Sequence, residues 1–244
     1  MTLPEPSSAS SEFRDAGSLA HYIQSTLISN CVTSEQWERH IRDCLQYQFH
    51  AAMIPPAWVR RTADTLRNSG VRVASFIDFP LGTMTSAGKA HEAASLVQEG
   101  VQEIDLMPNV GFLLSGMEKE YFEDIRGVVT SAAKIPVKVM LELPLLNTQQ
   151  SKRAVSLSID AGAAYLKNAS GGAVGVATPE QIRFLRNLAP PEVRIKASGG
   201  IKTAQQVREL IAAGADLVGT SCALQIIRGS EGSQTPSQES SSSY

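Results

Sequence analysis

The sequence predicts a single α/β domain folded as a (β/α)8 TIM barrel. Short, mostly apolar segments alternate with amphipathic segments along the 244 residues, as expected for parallel strands covered by helices. No Gly-x-Gly-x-x-Gly follows the first apolar segment, which disfavours a dinucleotide-binding fold. One barrel accounts for the length, and 43% hydrophobic residues suffice for its core.

Eight segments have the short length and apolar character of strands that are buried on both faces. In chain order, the predicted strands are His21–Leu27, Phe49–Ile54, Val71–Ile77, Glu103–Leu106, Val137–Leu143, Ala164–Lys167, Arg194–Lys196 and Asp216–Val218.

The segments between them carry helix signals, because several begin at Ser or Thr with Glu or Gln close behind and several end at glycine. The predicted helices are Trp37–Gln46 (after Thr33–Gln36), Pro56–Ser69, Thr85–Glu99, Glu118–Ala133, Thr148–Ala161, Thr178–Leu188 and Thr203–Ala213. The barrel is expected over residues 18–228, between a flexible N-terminal segment, residues 1–17, and a flexible Ser-rich tail, residues 229–244.

Composition limits the partners. The net charge of −2 and the pI near 6.1 give no basic surface for nucleic acid or anionic membranes. No stretch approaches 18 uninterrupted apolar residues, and the start lacks a signal-peptide pattern. The three cysteines, Cys31, Cys44 and Cys222, lack metal-ligand spacing and fit a reducing compartment. We therefore expect a cytoplasmic protein that binds a small molecule; its oligomeric state stays open.

Two lysines occupy matching positions in consecutive units. Lys167 and Lys196 each end an apolar strand and are each followed by small residues and a Gly pair. In a parallel barrel these strands are neighbours ~4.8 Å apart, and both amines reach the same rim. At ~5 Å, repulsion of about 3 kcal/mol lowers the pKa of one amine by roughly two units. A lone lysine more often only extends to water, but two in matching contexts indicate an amine nucleophile, and Lys167 is our candidate.

Asp105 is an acid inside an apolar strand, where an unpaired carboxylate is costly. Lys138 on the following strand is its expected partner, and for Lys138 a structural and a catalytic role are equally open. For Asp105 we favour proton transfer, because Schiff-base chemistry needs an acid or base besides the lysines.

Glycine-rich turns follow three consecutive late strands: Gly171-Gly172, Gly199-Gly200 and Gly219-Thr220-Ser221. One Gly pair is weak evidence, since loops use glycine for many reasons. Three in this part of a barrel predict a phosphate-sized anion site made of backbone N–H groups and hydroxyls.

From about Val71 to Ile227 the chain resembles the deoxyribose-phosphate aldolases, a family of class I aldolases. The resemblance lies in Phe79–Gly82, Glu103–Asp105, Val137–Val139, Leu166–Gly171, Ala177–Glu180 and Lys196–Ile201. It implies reversible cleavage of 2-deoxy-D-ribose 5-phosphate to D-glyceraldehyde 3-phosphate and acetaldehyde, in deoxyribonucleotide catabolism, without metal or cofactor.

The resemblance also implies residue roles. Lys167 matches the Schiff-base lysine, Lys196 the lysine that tunes it, and Asp105 the acid that moves protons through a water. Gly171, Gly199, Gly200 and Ser221 match the phosphate site. Some family members end in a tyrosine that reaches the active site, so Tyr244, at the end of the tail, is expected to assist proton transfer at the acetaldehyde methyl carbon.

The front third of the chain departs from the family pattern. Gln24 replaces the Asp of Asp-x-Thr-Leu, Met53 replaces the Cys of Cys-x-x-Pro, and Asn168 replaces the threonine after the Schiff-base lysine. We expect these residues near the sugar hydroxyls. Two alternatives therefore stay open: a Schiff-base aldolase for another phosphorylated sugar, and a non-catalytic barrel that binds phosphometabolites.

Overall fold

Eight parallel strands close into a barrel in chain order, with the last paired to the first. The computed structural model describes residues 19–232. The strands are β1 Ile23–Thr26, β2 Ala51–Met53, β3 Arg72–Ile77, β4 Glu103–Leu106, β5 Val137–Met140, β6 Tyr165–Lys167, β7 Arg194–Ser198 and β8 Leu217–Thr220. The predicted (β/α)8 fold and all eight strand positions are confirmed.

The helices surround the barrel. They are α1 Ser34–Tyr47, α2 Val59–Thr65, α3 Ser86–Glu99, α4 Val110–Leu114, α5 Glu118–Ser131, α6 Thr148–Asp160, α7 Pro179–Leu188, α8 Ala204–Ala212 and α9 Ala223–Gly232, with short 3-10 turns at Pro56–Trp58 and Leu143–Leu145. Within residues 19–232, no helix has the length and apolar character needed to span a membrane.

The sequence analysis missed two helices. Helix α4 has only 5 residues, too few to show a helical period. Helix α9 continues past residue 228 to Gly232, so the last helix runs beyond the boundary predicted for the barrel. The rest of the predicted tail and residues 1–17 lie outside the described residues.

Threonine and asparagine caps fix where several helices begin. Thr33, Asn147 and Thr203 each accept a hydrogen bond from the backbone N–H of a glutamine three residues on, and that glutamine side chain accepts one in return. Because these helices begin just after a strand, the caps hold the loops at the C-terminal rim, where chemistry occurs in such barrels.

The barrel has an apolar outer layer and a polar centre. Strand side chains alternate between the two faces, so Ile104 and Leu106 join the apolar core under the helices while Glu103 and Asp105 point inward. The same alternation places Lys138 inside, between the outward Val137 and Val139. A charged group in the outer layer would lack partners, so the alternation itself directs the ionisable side chains inward.

A buried ion pair holds the loop after β3. The fully buried Lys89 donates to Asp124 Oδ2 at 2.7 Å and to the carbonyl of Gly82 at 3.0 Å, and it lies 3.4 Å from Asp78. This loop carries Phe79, which lines the cavity at this end of the barrel.

Candidate active site

A cavity of about 580 Å³ opens at the C-terminal ends of the strands. Asp105, Lys167 and Lys196 line it, as do all the residues predicted for the phosphate site: Gly171, Gly199, Gly200 and Ser221. The structure therefore brings these candidates into one site. Tyr244 lies outside the described residues.

Asp105 bridges two amines at the base of the cavity. Its Oδ2 accepts hydrogen bonds from Lys167 Nζ at 2.9 Å and from Lys196 Nζ at 2.6 Å. The β6–β7 register sets this arrangement, because Lys167 and Lys196 are paired residues on the two strands. The predicted neighbourhood of the two lysines is confirmed, and one oxygen atom links them.

The charges shift the protonation of this group. Burial would raise the pKa of Asp105, but the cations of Lys167, Lys196 and Lys138 outweigh it and hold that pKa well below its usual range. Burial lowers the pKa of Lys196 to about 7, against the attraction of Asp105 and with added repulsion from Lys167 and Lys138. Near neutral pH, Lys196 can therefore both take up and release a proton.

Lys167 is the amine better placed to meet a substrate. Its side chain is 7% exposed, against 2% for Lys196. Lys196 is also held from a second side, because its Nζ donates to Gln24 Oε1 as well as to Asp105. Lys167 is therefore the more accessible amine of the pair.

Lys138 belongs mainly to a second polar group below the site. Its Nζ lies 2.8 Å from Glu103 Oε2 and 3.4 Å from Asp105 Oδ1, so the expected pairing with Asp105 is its weaker contact. His50 Nε2 lies 2.7 Å from Glu103 Oε1. Lys138 and His50 offset the effect of burial and lower the pKa of Glu103 to about 2. The sequence analysis missed this group, although Glu103 lies two residues before Asp105 and hence on the same face of β4.

The glycine-rich wall depends on glycine at defined positions. Gly199 has φ +112°, and a Cβ there would lie 2.4 Å from the carbonyl oxygen of Gly175. A Cβ on Gly171 would instead enter open space. Lys202, directly after the second Gly pair, also lines the cavity; the sequence analysis did not single it out.

Another part of the cavity lining is apolar and comes from strands β1 to β5 and their loops. It consists of Ile28, Met53, Phe76, Phe79 and Met140. Cavities of this kind combine apolar walls with a few polar groups that orient the ligand.

Of the three departures from the family pattern, only Met53 lines the cavity. Asn168 is fully buried and serves the backbone, since its Oδ1 accepts from the N–H of Ser198 at 2.8 Å and its Nδ2 donates to Gln181 at 3.1 Å. Gln24 is fully buried below the cavity. That all three lie near the sugar hydroxyls stays a prediction; Gln24 and Asn168 contact Lys196 and Ser198, which do line the cavity.

Relatives of known name share most of the chain, although no protein-family model matches it. The deoxyribose-phosphate aldolase of Staphylococcus carnosus is 36% identical over 212 residues, which are 87% of this chain and 96% of the relative. The chain belongs to the deoxyribose-phosphate aldolase family. The aldolase of the same name from Clostridium botulinum (strain Langeland) is 33% identical over 210 residues, 86% of this chain and 99% of the relative.

Solved structures agree with this family. The tetrameric deoxyribose phosphate aldolase of Aeropyrum pernix matches with a TM-score of 0.83 and 29% sequence identity. The match covers 93% of this chain and 99% of that one. A solved aldolase of this family thus matches the barrel over nearly the full length of this chain.

The lowered pKa of Lys196 predicts how stability depends on pH. Above pH 7 the folded chain has released a proton that unfolded lysine keeps up to about pH 10. The unfolded state then binds more protons, so stability rises with pH across this interval, by at most ~1.4 kcal/mol per pH unit. Denaturant unfolding between pH 6 and 10 should show this slope in the wild type and lose it in Lys196→Met; parallel curves for the two proteins would contradict it.

Proposed function

We propose that this chain catalyses the reversible aldol cleavage of 2-deoxy-D-ribose 5-phosphate to D-glyceraldehyde 3-phosphate and acetaldehyde through a Schiff base on Lys167. The observation that supports it most is the carboxylate of Asp105 shared by two buried amines at the base of the cavity. Such a group supplies a nucleophile and a proton acceptor a few ångströms apart.

The first step is attack by Lys167. Lys196, when neutral, takes a proton from Lys167 through Asp105, whose Oδ2 is hydrogen bonded to both amines. The free amine adds to the C1 aldehyde of the open-chain sugar. Loss of the former carbonyl oxygen as water leaves a protonated imine, which can accept electrons from the adjacent carbon–carbon bond.

Cleavage then needs a base and later an acid. The base removes the proton of the C3 hydroxyl, the C2–C3 bond breaks, and its electron pair forms an enamine between C2 and C1. Glyceraldehyde 3-phosphate leaves. A proton returns to C2, and water hydrolyses the acetaldehyde imine and frees Lys167. We assign these proton transfers to Asp105 and Lys196, which line the cavity beside the reacting amine.

The glycine-rich wall is proposed to hold the phosphate. Gly171, Gly199, Gly200 and Ser221 offer backbone N–H groups and a hydroxyl along one side of the cavity, the type of cradle that binds anions. Lys202 in the same wall adds a positive charge. The amine and the phosphate wall lie in one cavity, so a phosphorylated sugar could contact both at once.

Acting on a different phosphorylated sugar is the second candidate, and Met53 in the apolar wall is the observation that favours it. A bulky thioether there changes the shape of the cavity beside Lys167 without changing the amine chemistry.

We also propose a cellular location, binding partners and an oligomeric state. A cytoplasmic location is supported by Cys31, Cys44 and Cys222, which are all free thiols. The partners proposed are a sugar phosphate and an aldehyde, with no nucleic acid, metal or other cofactor. The tetrameric relative from Aeropyrum pernix supports a homo-oligomer.

Trapping with borohydride tests the assignment of Lys167. Incubation with acetaldehyde and borohydride should add an ethyl group at Lys167, because reduction fixes the imine. Lys167→Ala should lose both the adduct and at least about 99.9% of turnover, since the covalent intermediate is lost. Lys152→Ala, which changes an exposed lysine of α6, is the control and should keep both.

Three outcomes would contradict the proposal. Activity that disappears in EDTA, with no trapping, would indicate metal chemistry. A much higher kcat/KM for another sugar phosphate would favour the second candidate. Binding of deoxyribose 5-phosphate that survives Lys167→Ala, in a wild-type protein without turnover, would indicate a non-catalytic barrel.

Gly171→Ala tests the phosphate wall. The added methyl enters open space in the protein, so folding should be preserved while the methyl competes with the phosphate. KM for deoxyribose 5-phosphate should rise about tenfold or more, roughly 1.4 kcal/mol, and the rate on unphosphorylated deoxyribose should change little. Gly199→Ala, with a positive φ and a backbone clash, should instead lower thermal stability. Equal effects of Gly171→Ala on both substrates would place the phosphate elsewhere.

Tyr244 is proposed to assist proton transfer at the acetaldehyde methyl carbon. Tyr244 lies 12 residues after Gly232, the last residue of α9. Tyr244→Phe should slow deuterium exchange into acetaldehyde and lower kcat, because the hydroxyl is lost. Borohydride trapping at Lys167 should be unchanged, and Ser243→Ala is the control. Exchange at the wild-type rate in Tyr244→Phe would exclude the role.

A further inference from the structure

Gln24 of β1 contacts one of the two amines at the base of the cavity. It is fully buried, and both ends of its amide are used. Oε1 accepts from Lys196 Nζ, and Nε2 donates to Glu103 Oε2 at 3.2 Å. The amide can face only one way, because an ammonium only donates and a carboxylate only accepts. Gln24 thus joins the catalytic group to the group around Glu103.

We propose that Gln24 is a positioning residue for Lys196, and that its neutral amide leaves the ion-paired group of Lys138, Lys167, Lys196, Glu103 and Asp105 with one more amine than carboxylates. This inference deepens the proposed function and rests on it, because it concerns how the aldolase site obtains an amine that exchanges its proton.

The charges around Lys196 support the inference. Counting the described residues, the interior group contains three amines, Lys138, Lys167 and Lys196, and two carboxylates, Glu103 and Asp105. Facing this group, β2 and β3 contribute Ala51, Met53, Ala74 and Phe76, and Gly219 of β8 packs against the Lys196 side chain. Two further groups face it: the Tyr165 ring of β6 lies 5.3 Å from Lys138 Nζ, and Glu142, after β5, is a carboxylate near Lys167. Glu142 accepts from the N–H of Ser170, and burial raises its pKa. Gln24 of β1 contacts Lys196 directly and is uncharged.

The charge of Glu103 is also shared with groups outside this cluster. On its far side, His50 Nε2 lies 2.7 Å from Oε1, and the half-exposed Arg72 lies 3.6 Å from the same atom. Glu103 is consequently a weaker counter-charge for the lysines than an isolated carboxylate would be, which adds to the excess of amines.

The buried lysines differ in how strongly they hold a proton, because their contacts with carboxylates differ. Glu103 and Asp105 offset burial and raise the pKa of Lys138, and Lys138 keeps its proton. Lys196 has only one carboxylate beside it, since it donates to Asp105 and to the neutral amide of Gln24. This fits the lowered pKa of Lys196. A carboxylate in place of the amide would supply a counter-charge in contact with Lys196 and favour its ammonium form.

Three substitutions test the charge balance. Gln24→Glu adds the third carboxylate with nearly the same shape, Glu103→Gln removes one, and Gln24→Met removes the hydrogen bonds without adding charge. Gln149→Glu makes the same chemical change at an exposed position and is the control. Two measurements are made on each: the pH titration of Lys196 by NMR with isotope-labelled lysine, assigned by its loss in Lys196→Met, and the pH profile of kcat/KM.

The expected shifts have opposite signs. Gln24→Glu should move the Lys196 titration and the acid limb of kcat/KM upward by about one pH unit or more, so that activity at pH 7 falls about tenfold and returns at higher pH. Glu103→Gln should move the titration downward. Gln24→Met should leave it at or below the wild-type value and lower kcat more than it raises KM. The control should titrate as the wild type does.

Several results would overturn the inference. One is a folded Gln24→Glu protein that titrates as the wild type does, or loses activity equally at every pH. If Gln24→Glu does not fold, an unchanged titration in Glu103→Gln or wild-type kcat in Gln24→Met overturns it. The titration needs no substrate, so a wild-type protein without aldolase turnover would refute the proposed function separately.

Discussion

The site depends on one carboxylate oxygen that accepts from two buried amines. Asp105 Oδ2 holds Lys167 and Lys196 together although the two cations repel each other. Without this carboxylate the barrel interior would contain unpaired ammonium groups, which protein interiors tolerate poorly. The carboxylate that offsets the charge of the buried lysines is thus also the hydrogen-bonded link between them. The stability of the buried charges and the geometry of the candidate site both depend on the contacts of Asp105 Oδ2.

The early and the late strands of the barrel contribute different kinds of residue to the cavity. Early strands and their loops supply apolar lining, with Met53 and Phe76, and the buried Lys89–Asp124 pair holds the loop that carries Phe79. Late strands supply glycines and hydroxyls. An apolar wall lowers the local polarity near the amines, while the glycine-rich wall brings backbone N–H groups close to a ligand. A ligand with a small reactive carbonyl at one end and an anion at the other suits this division.

Features of the structure that depend on periodic patterns or on neighbouring units of the chain could be predicted from the sequence. All eight strands followed from apolar runs between helix signals, and the pairing of Lys167 with Lys196 followed from their matching contexts in neighbouring units. Interactions between distant strands were harder. The contact of Lys138 with Glu103, rather than chiefly with Asp105, depends on side-chain directions inside the barrel. Asn168 lies beside a reactive lysine in sequence, yet its side chain turns to the backbone of β7, which no pattern in β6 reveals.

The register of β6 and β7 has a consequence for folding. A slip of one residue would turn Lys196 into the apolar layer under the helices and bring Ile195 or Ala197 to the interior. The misplaced ammonium would lose Asp105 and meet only apolar neighbours, at a cost of several kcal/mol. A barrel closed in the wrong register would therefore be disfavoured by the same charge that pairs with Asp105 in the correct barrel. The buried lysines thus help to specify strand pairing, so losing them would relax the specificity of the fold as well as alter the candidate site.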